Sequence, residues 1–264
     1  MRNSPFTSWV FLLWENFLRI TEFSGYSLVL IFQSVCYLPK VLEKRSEVVK
    51  QMYAAGAKSF LVVSIVAFFT GMILSLQTGL EMKKFGLENL IGQLVVTTLT
   101  REMSSFTTAV VLIASVGSSI AAELSTMKVS EEIDALEMLL INPVKFLVMP
   151  RIVALAVMFP VVSVYFTLMG TLGGGVVSYS QLSVEWDIYW KSCLLGLKLK
   201  AVYVGLLKSF LFGTMVAAIA CANGLKAENG VAGVGQATRN SVIASFVMVL
   251  ITGYYITAIF YGTK

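Results

Sequence analysis

Five runs of about twenty or more mostly apolar residues constrain this chain more than any other feature. An α-helix rises about 1.5 Å per residue, so about 20 residues cross the roughly 30 Å of bilayer hydrocarbon. Composition agrees: 57% of the residues are hydrophobic and 13% charged, where a soluble domain carries about 25% charged. Mean hydropathy is +0.80. The 264 residues leave room for spans and short loops, with no space for a soluble catalytic domain.

The runs place span 1 at 59–80, span 2 at 90–122, span 3 at 147–172, span 4 at 194–221 and span 5 at 241–261. Span 3 is expected to break at Pro160 and to end at Gly173-Gly174-Gly175. Residues 176–192, with Trp186, Tyr189 and Trp190, read as a loop holding a short surface helix, and 223–240 as a flexible glycine-rich loop. Before span 1, Trp9 and Trp14 alternate with Glu15, Arg19 and Glu22, which suits an amphipathic helix in the membrane interface. Tyr26–Leu38 precedes Pro39 and is short for a crossing, so it reads as interfacial or re-entrant. The chain therefore divides into 1–58, an interfacial helix and basic flank without a cleavable signal, and 59–264, the five-span domain. The expected fold class is all-α integral membrane.

Net charge is +5. The basic residues cluster at span ends, where topology and anionic headgroups explain them better than nucleic acid does. With the N-terminus inside, twelve Lys and Arg fall on the inner side and six on the outer. That bias favours a cytoplasmic N-terminus and, with five spans, a periplasmic C-terminus. Histidine is absent, which removes the commonest metal ligand and general base. No metal, cofactor or catalytic residue is expected. Cys36, Cys193 and Cys221 form no CxxC pair and read as buried, inert thiols.

Two features carry chemistry. The polar stretch 123–145 separates spans 2 and 3. Ser130 suits an N-cap, Glu131 and Glu132 suit the first turn of a helix, and Ile133, Leu136 and Leu140 share a stripe at helical spacing. Asn142-Pro143 should end that helix, expected at about 130–141. It reads either as a solvated connector or as a coupling helix docking on a cytosolic motor. The second feature is charge inside spans: Arg101 and Glu102 in span 2 and Lys208 in span 4. A central charge costs at least about 2.5–3.5 kcal/mol on insertion scales, so such residues are usually paired or functional. Glu102 could pair with Lys208, or Arg101 and Lys208 could face a lipid phosphate. Arg101 could also simply reach the outer interface. The small residues Ala114, Ser115, Gly117, Ser118, Ser119, Ala121 and Ala122 suit close helix packing, with a cavity wall as a secondary role.

The string Arg101-Glu102, Ala121-Ala122-Glu123-Leu124, Thr126-Met127, Glu131-Glu132-Ile133-Asp134-Ala135-Leu136-Glu137, Asn142-Pro143 and Pro150-Arg151 resembles the MlaE/YrbE permease family. The likeness extends from Gly71 and Gln77 to Gly233-Val234-Gly235-Gln236, covering about residues 50–262. It implies a permease dimer that moves lipid through a central cavity, with Arg101, Glu102 and Lys208 as polar residues of that cavity. It also implies a cytosolic ABC ATPase engaged by Glu131, Glu132, Ile133, Asp134, Leu136 and Glu137. The further partners implied are an MCE-domain protein and, as an accessory, a STAS-domain subunit, in a bacterial inner membrane. Met103-Ser104-Ser105, Ala114-Ser115 and Ser125 depart from the family's usual residues and bear on pocket chemistry. No G-x-x-x-x-G-K-[ST] is present, so nucleotide phosphates would need another chain. Two other readings are an intramembrane lipid-modifying enzyme, which would need clustered acids, bases or metal ligands, and a passive channel or scaffold.

Overall fold

A computed structural model of the chain describes residues 25–262 apart from 38, 40, 42, 43 and 229. The expected interfacial helix around Trp9 and Trp14 lies outside the described residues. Those described are overwhelmingly helical, with no strand among them. Five stretches are long and apolar enough to cross a membrane: Arg45–Lys84, Glu88–Val129, Val144–Leu182, Leu199–Leu225 and Gly230–Tyr261. The chain is an all-α integral membrane protein, and the five candidate spans its hydropathy implies are all present among the described residues.

Helix α1 (Gly25–Cys36) is apolar but short. Lys226 Nζ lies 4.7 Å from the Tyr26 ring centre, and Asn142 Nδ2 donates to Tyr37 Oη at 3.4 Å. Lys226 follows span 4 and Asn142 precedes span 3, so both ends of α1 are held at one end of the bundle. Helices α2 (Arg45–Gly56) and α3 (Phe60–Lys84) form span 1. Span 2 contains α4 (Ile91–Thr98), α5 (Ser104–Leu112) and α6 (Ser118–Val129), joined by π turns at Leu99–Met103 and Ile113–Gly117. After α7 (Glu132–Met138), a third π turn at Val144–Val148 leads into α8 (Met149–Leu182). The surface helix α9 (Trp186–Gly196), α10 (Leu199–Leu225) and α11 (Gly230–Tyr261) complete the chain.

Three expectations about helix breaks are corrected. Span 3 does not break at Pro160 or stop at the glycine triplet: α8 continues through both to Leu182. An added Cβ on Gly173 would lie 2.2 Å from the Phe68 carbonyl oxygen, and one on Gly71 would lie 1.8 Å from that of Gly170. These glycines let α3 and α8 approach to backbone contact. Lipid is as apolar as leucine, so close packing, more than apolar burial, drives such association. Second, Gly230–Gly235 is the first part of α11 and not a loop. Third, Leu194 and Leu195 belong to α9, so span 4 begins later than expected.

The α3–α8 seam also carries hydroxyl pairs. Ser75 and Ser178 meet at 2.8 Å, and Ser64 and Tyr165 at 2.6 Å. α10 packs against α8, α6 and α11. The inward face of α11 repeats every four residues with small side chains, Gly233, Ala237, Ser241, Ser245 and Val249. Its other faces are left largely uncovered by the described residues, including Ile243, Val247, Leu250, Ile251 and Tyr254.

Candidate functional site

The π turn at Leu99–Met103 carries Arg101 and Glu102. Such a turn widens the helix locally and shifts the facing of the residues that follow; it recurs at functional sites. Opposite it, Lys208 of α10 is fully buried. Its Nζ donates to Glu102 Oε1 at 2.7 Å, to Thr257 Oγ1 at 2.6 Å and to the Arg101 carbonyl at 3.2 Å. An ammonium has three protons, and each has an acceptor here. Thr257 Oγ1 also lies 2.7 Å from Glu102 Oε1 and 2.8 Å from the Gly253 carbonyl. Its single proton serves one of them at a time. This cluster ties spans 2, 4 and 5 together. It is lopsided: the Lys208 side chain is 1% exposed and that of Glu102 is 44%.

Of the three sequence readings of these charges, the structure realises the first for Glu102 and Lys208, which form an ion pair, and leaves the Arg101 guanidinium apart from it. The Arg101 guanidinium carbon stands 4.4 Å from the Tyr261 ring centre, and Lys200 Nζ stands 5.2 Å from the same ring. Arg101 Nε and Tyr261 Oη are buried without a hydrogen-bond partner among the described residues. Sequence reading missed Thr257, Tyr261 and Lys200. Thr257 was the most accessible of these, since it continues the four-residue stripe of α11 from Val249 through Gly253.

Two cavities border α11. One of about 250 Å³ is lined by Glu102, Met103, Ser105, Phe106, Phe212, Val249, Leu250, Gly253 and Tyr254. The other, about 610 Å³ and mostly apolar, lies nearer the α7 end. It is lined by Leu28 and Ile31 of α1, Met215 and Ile219 of α10, and Asn240, Ile243, Val247 and Ile251 of α11, among others. On span 2 the small residues divide: Gly117 and Ala121 are buried, while Ala114, Ser115 and Ser119 are exposed.

At the other polar site, α7 spans Glu132–Met138, shorter than the expected 130–141. Ser130 is not its N-cap: Ser130 ends α6, and Glu131 occupies the cap position with φ +59°. Asn142 does not simply stop a helix but starts the next, its Oδ1 accepting from the Val144 and Lys145 amides at 2.9 and 3.3 Å. Ile133 is buried and Leu136 half-buried against the bundle. Asp134 is tied back to Lys128 of α6 at 2.6 Å. These three anchor α7 to its own chain. Glu131, Glu132 and Glu137 point outward, as do Met138, Leu139 and Leu140, the last 96% exposed. The stripe reading of Leu140 is thereby corrected: with φ +59° it departs from the helix and from the Ile133 face.

A clamp with a buried arginine and an exposed carboxylate brackets this segment. Arg151 Nη2 meets Glu123 Oε1 at 2.9 Å, and Nη1 donates to the Leu147 carbonyl at 3.0 Å. It joins the end of span 2 to the start of span 3, fixing both stems of α7. Both residues stand in the string that suggested the family, but neither was singled out from sequence.

The cysteines are free. Cys193 and Cys221 are buried as expected, whereas Cys36 is exposed, because α1 packs only its other face. Burial pushes the Cys193 thiol up to about 11, which keeps it protonated and unreactive at neutral pH.

Comparison with known proteins gives a consistent result. The family model for Permease MlaE matches residues 48–259. A probable ABC transporter permease protein of Rickettsia typhi is 36% identical over 216 residues, 82% of this chain and 83% of the relative. A protein of the same description from Synechocystis is 35% identical over 220 residues, 83% of this chain and 84% of the relative. The probable ABC transporter permease protein ycf63 of Porphyra purpurea is 33% identical over 198 residues, 75% of each chain.

Proposed function

The chain belongs to the MlaE permease family, and on that premise we propose that it is the membrane subunit of an ATP-driven phospholipid transporter. Two copies enclose a lipid cavity, and a separate cytosolic ABC ATPase supplies the energy. The observation that carries this reading is the Glu102–Lys208–Thr257 cluster, a charged group inside apolar spans, with Glu102 lining a cavity beside the uncovered face of α11. Charge in such a place is usually retained for a polar ligand or pathway. The uncovered faces of α11 and the exposed small residues of span 2 suit a second copy.

The energetic need for a shielded route is large. At about 0.8 kcal/mol per CH₂, about thirty methylenes would cost about 24 kcal/mol to expose to water. The α7 end is the cytoplasmic one, where Glu131, Glu132, Glu137 and the Met138–Leu140 tip meet the ATPase while Ile133, Leu136 and Asp134 transmit its movement to spans 2 and 3. Helix α1, held at that end through Tyr26 and Tyr37, lies in the cytoplasmic headgroup layer of the inner membrane. The opposite end faces the periplasm, where an MCE-domain protein exchanges lipid; a STAS-domain accessory subunit would bind on the cytoplasmic side.

The experiment is lipid mass spectrometry on the chain purified with its ATPase, paired with ATP-dependent lipid transfer between vesicles. Lys208→Ala and Glu102→Ala are expected to lower bound lipid and transfer while the subunits stay associated. Wild-type transfer by both variants would remove the cluster from the pathway, and a complex that carries no lipid would reject the reading.

A further inference from the structure

The cavity beside Glu102 has a charge character that neither the family nor its relatives' descriptions specify. Among the described residues, Glu102 is the only charged side chain that lines it. Lys208 lies behind the carboxylate with all three protons engaged. Arg101 points to Tyr261, outside the lining. Among the described residues, Glu102 makes its side-chain bonds on Oε1 alone, receiving both Lys208 and Thr257 there. Its Oε2 is the remaining acceptor. The Ser105 hydroxyl donates to the Glu102 carbonyl at 3.1 Å. The rest of the wall is mostly apolar, from Phe106, Phe212, Val249 and Leu250.

From this arrangement we propose that the cavity selects phospholipids whose headgroup ends in a primary ammonium. The inference rests on the lipid-transport reading and names its substrate class. Phospholipids share the phosphate, so their terminal groups decide between them. A primary ammonium donates up to three hydrogen bonds and complements a carboxylate oxygen with a free lone pair. A glycerol headgroup brings hydroxyls but leaves the lipid anionic, facing a wall with no cation. A choline headgroup carries positive charge but no proton to donate. The cavity, at about 250 Å³, is below the roughly 300–1,000 Å³ that encloses a drug-sized ligand. It holds a headgroup and leaves the acyl chains outside.

The test uses the chain with its ATPase in vesicles of equal parts phosphatidylethanolamine, phosphatidylglycerol and phosphatidylcholine with identical acyl chains. Lipid retained on purification is counted by mass spectrometry. Phosphatidylethanolamine is expected to exceed each of the others by roughly tenfold, the worth of one charge-assisted hydrogen bond. Glu102→Gln combined with Lys208→Met removes the acid without stranding the buried ammonium, and should return the ratio to that of the vesicles. Lipid retained by the wild type in vesicle proportions overturns the selection and leaves lipid transport standing; no retained lipid overturns both. A preference that persists in the double variant also overturns it. Should that variant fail to assemble, the wild-type ratio decides alone. Displacement of bound lipid by free ethanolamine at equal concentration would assign the site to a soluble amine and overturn the lipid assignment.

Discussion

Replacing Glu102 by Ala would leave the Lys208 ammonium 1% exposed with only the Thr257 hydroxyl and the Arg101 carbonyl for company. Replacing Lys208 by Met would instead leave a carboxylate that is 44% exposed and can take water through the neighbouring cavity. The two halves of one ion pair therefore have unequal worth. Stranding a buried charge costs about 3–5 kcal/mol, and the two surviving acceptors place Glu102→Ala near the lower end. Lys208→Met keeps the apolar stem and strands nothing buried, so the loss is about 1 kcal/mol, that of a net hydrogen bond. The difference of about 2 kcal/mol is a factor of roughly 30 in the folding equilibrium. Reversible unfolding in mixed detergent–SDS micelles, followed by tryptophan fluorescence, would measure it. The double variant should be more stable than Glu102→Ala alone, because it no longer holds an unpaired charge. If Lys208→Met proves as damaging as Glu102→Ala, or the double variant is the worst of the three, the burial asymmetry does not govern the cluster.

Gly71→Ala would set a methyl group 1.8 Å from the Gly170 carbonyl oxygen; overpacking typically costs about 1–3 kcal/mol, and since backbone must yield, the upper part of that range is expected in the same unfolding assay. Glu132→Lys with Glu137→Lys reverses the outward charge of α7 without touching the Ile133 or Asp134 anchors, and should lose the ATPase on co-purification while membrane insertion persists; normal co-purification would place the docking surface elsewhere. A reporter active only in the cytoplasm, fused after Lys264, should be silent, and activity would mean either that the number of crossings is not five or that the orientation is reversed.

How much was legible in the sequence follows from what each signal measures. Hydropathy measures solvent, so all five spans could be read, along with the charges that violate it. It does not measure which face of a span meets a neighbour, because lipid and protein core are equally apolar. For that reason Gly173–Gly175 looked like a stop when it is a seam, and Gly230–Gly235 looked like a loop when it begins α11. Rules for glycine and proline learned in water assume that a freed backbone group can find solvent; inside a bundle the same residues mark close approach, with the helix continuing past them. The ion pair had a sequence signature, since opposite charges that are costly in separate apolar spans are stabilised where register lets them meet. Thr257 had a weaker one, because a hydroxyl in a span ordinarily bonds its own helix, as Thr257 also does to Gly253. What distinguishes it is register: it falls on the same four-residue stripe as Ser241, Ser245 and Val249, the face of α11 that the other described residues cover. A hydroxyl on a covered small-residue stripe faces a neighbouring helix whether or not a partner is visible in sequence. The charges of spans 2 and 4 then name the neighbour, which makes the stripe, and not the charges alone, the feature that joins span 5 to the site.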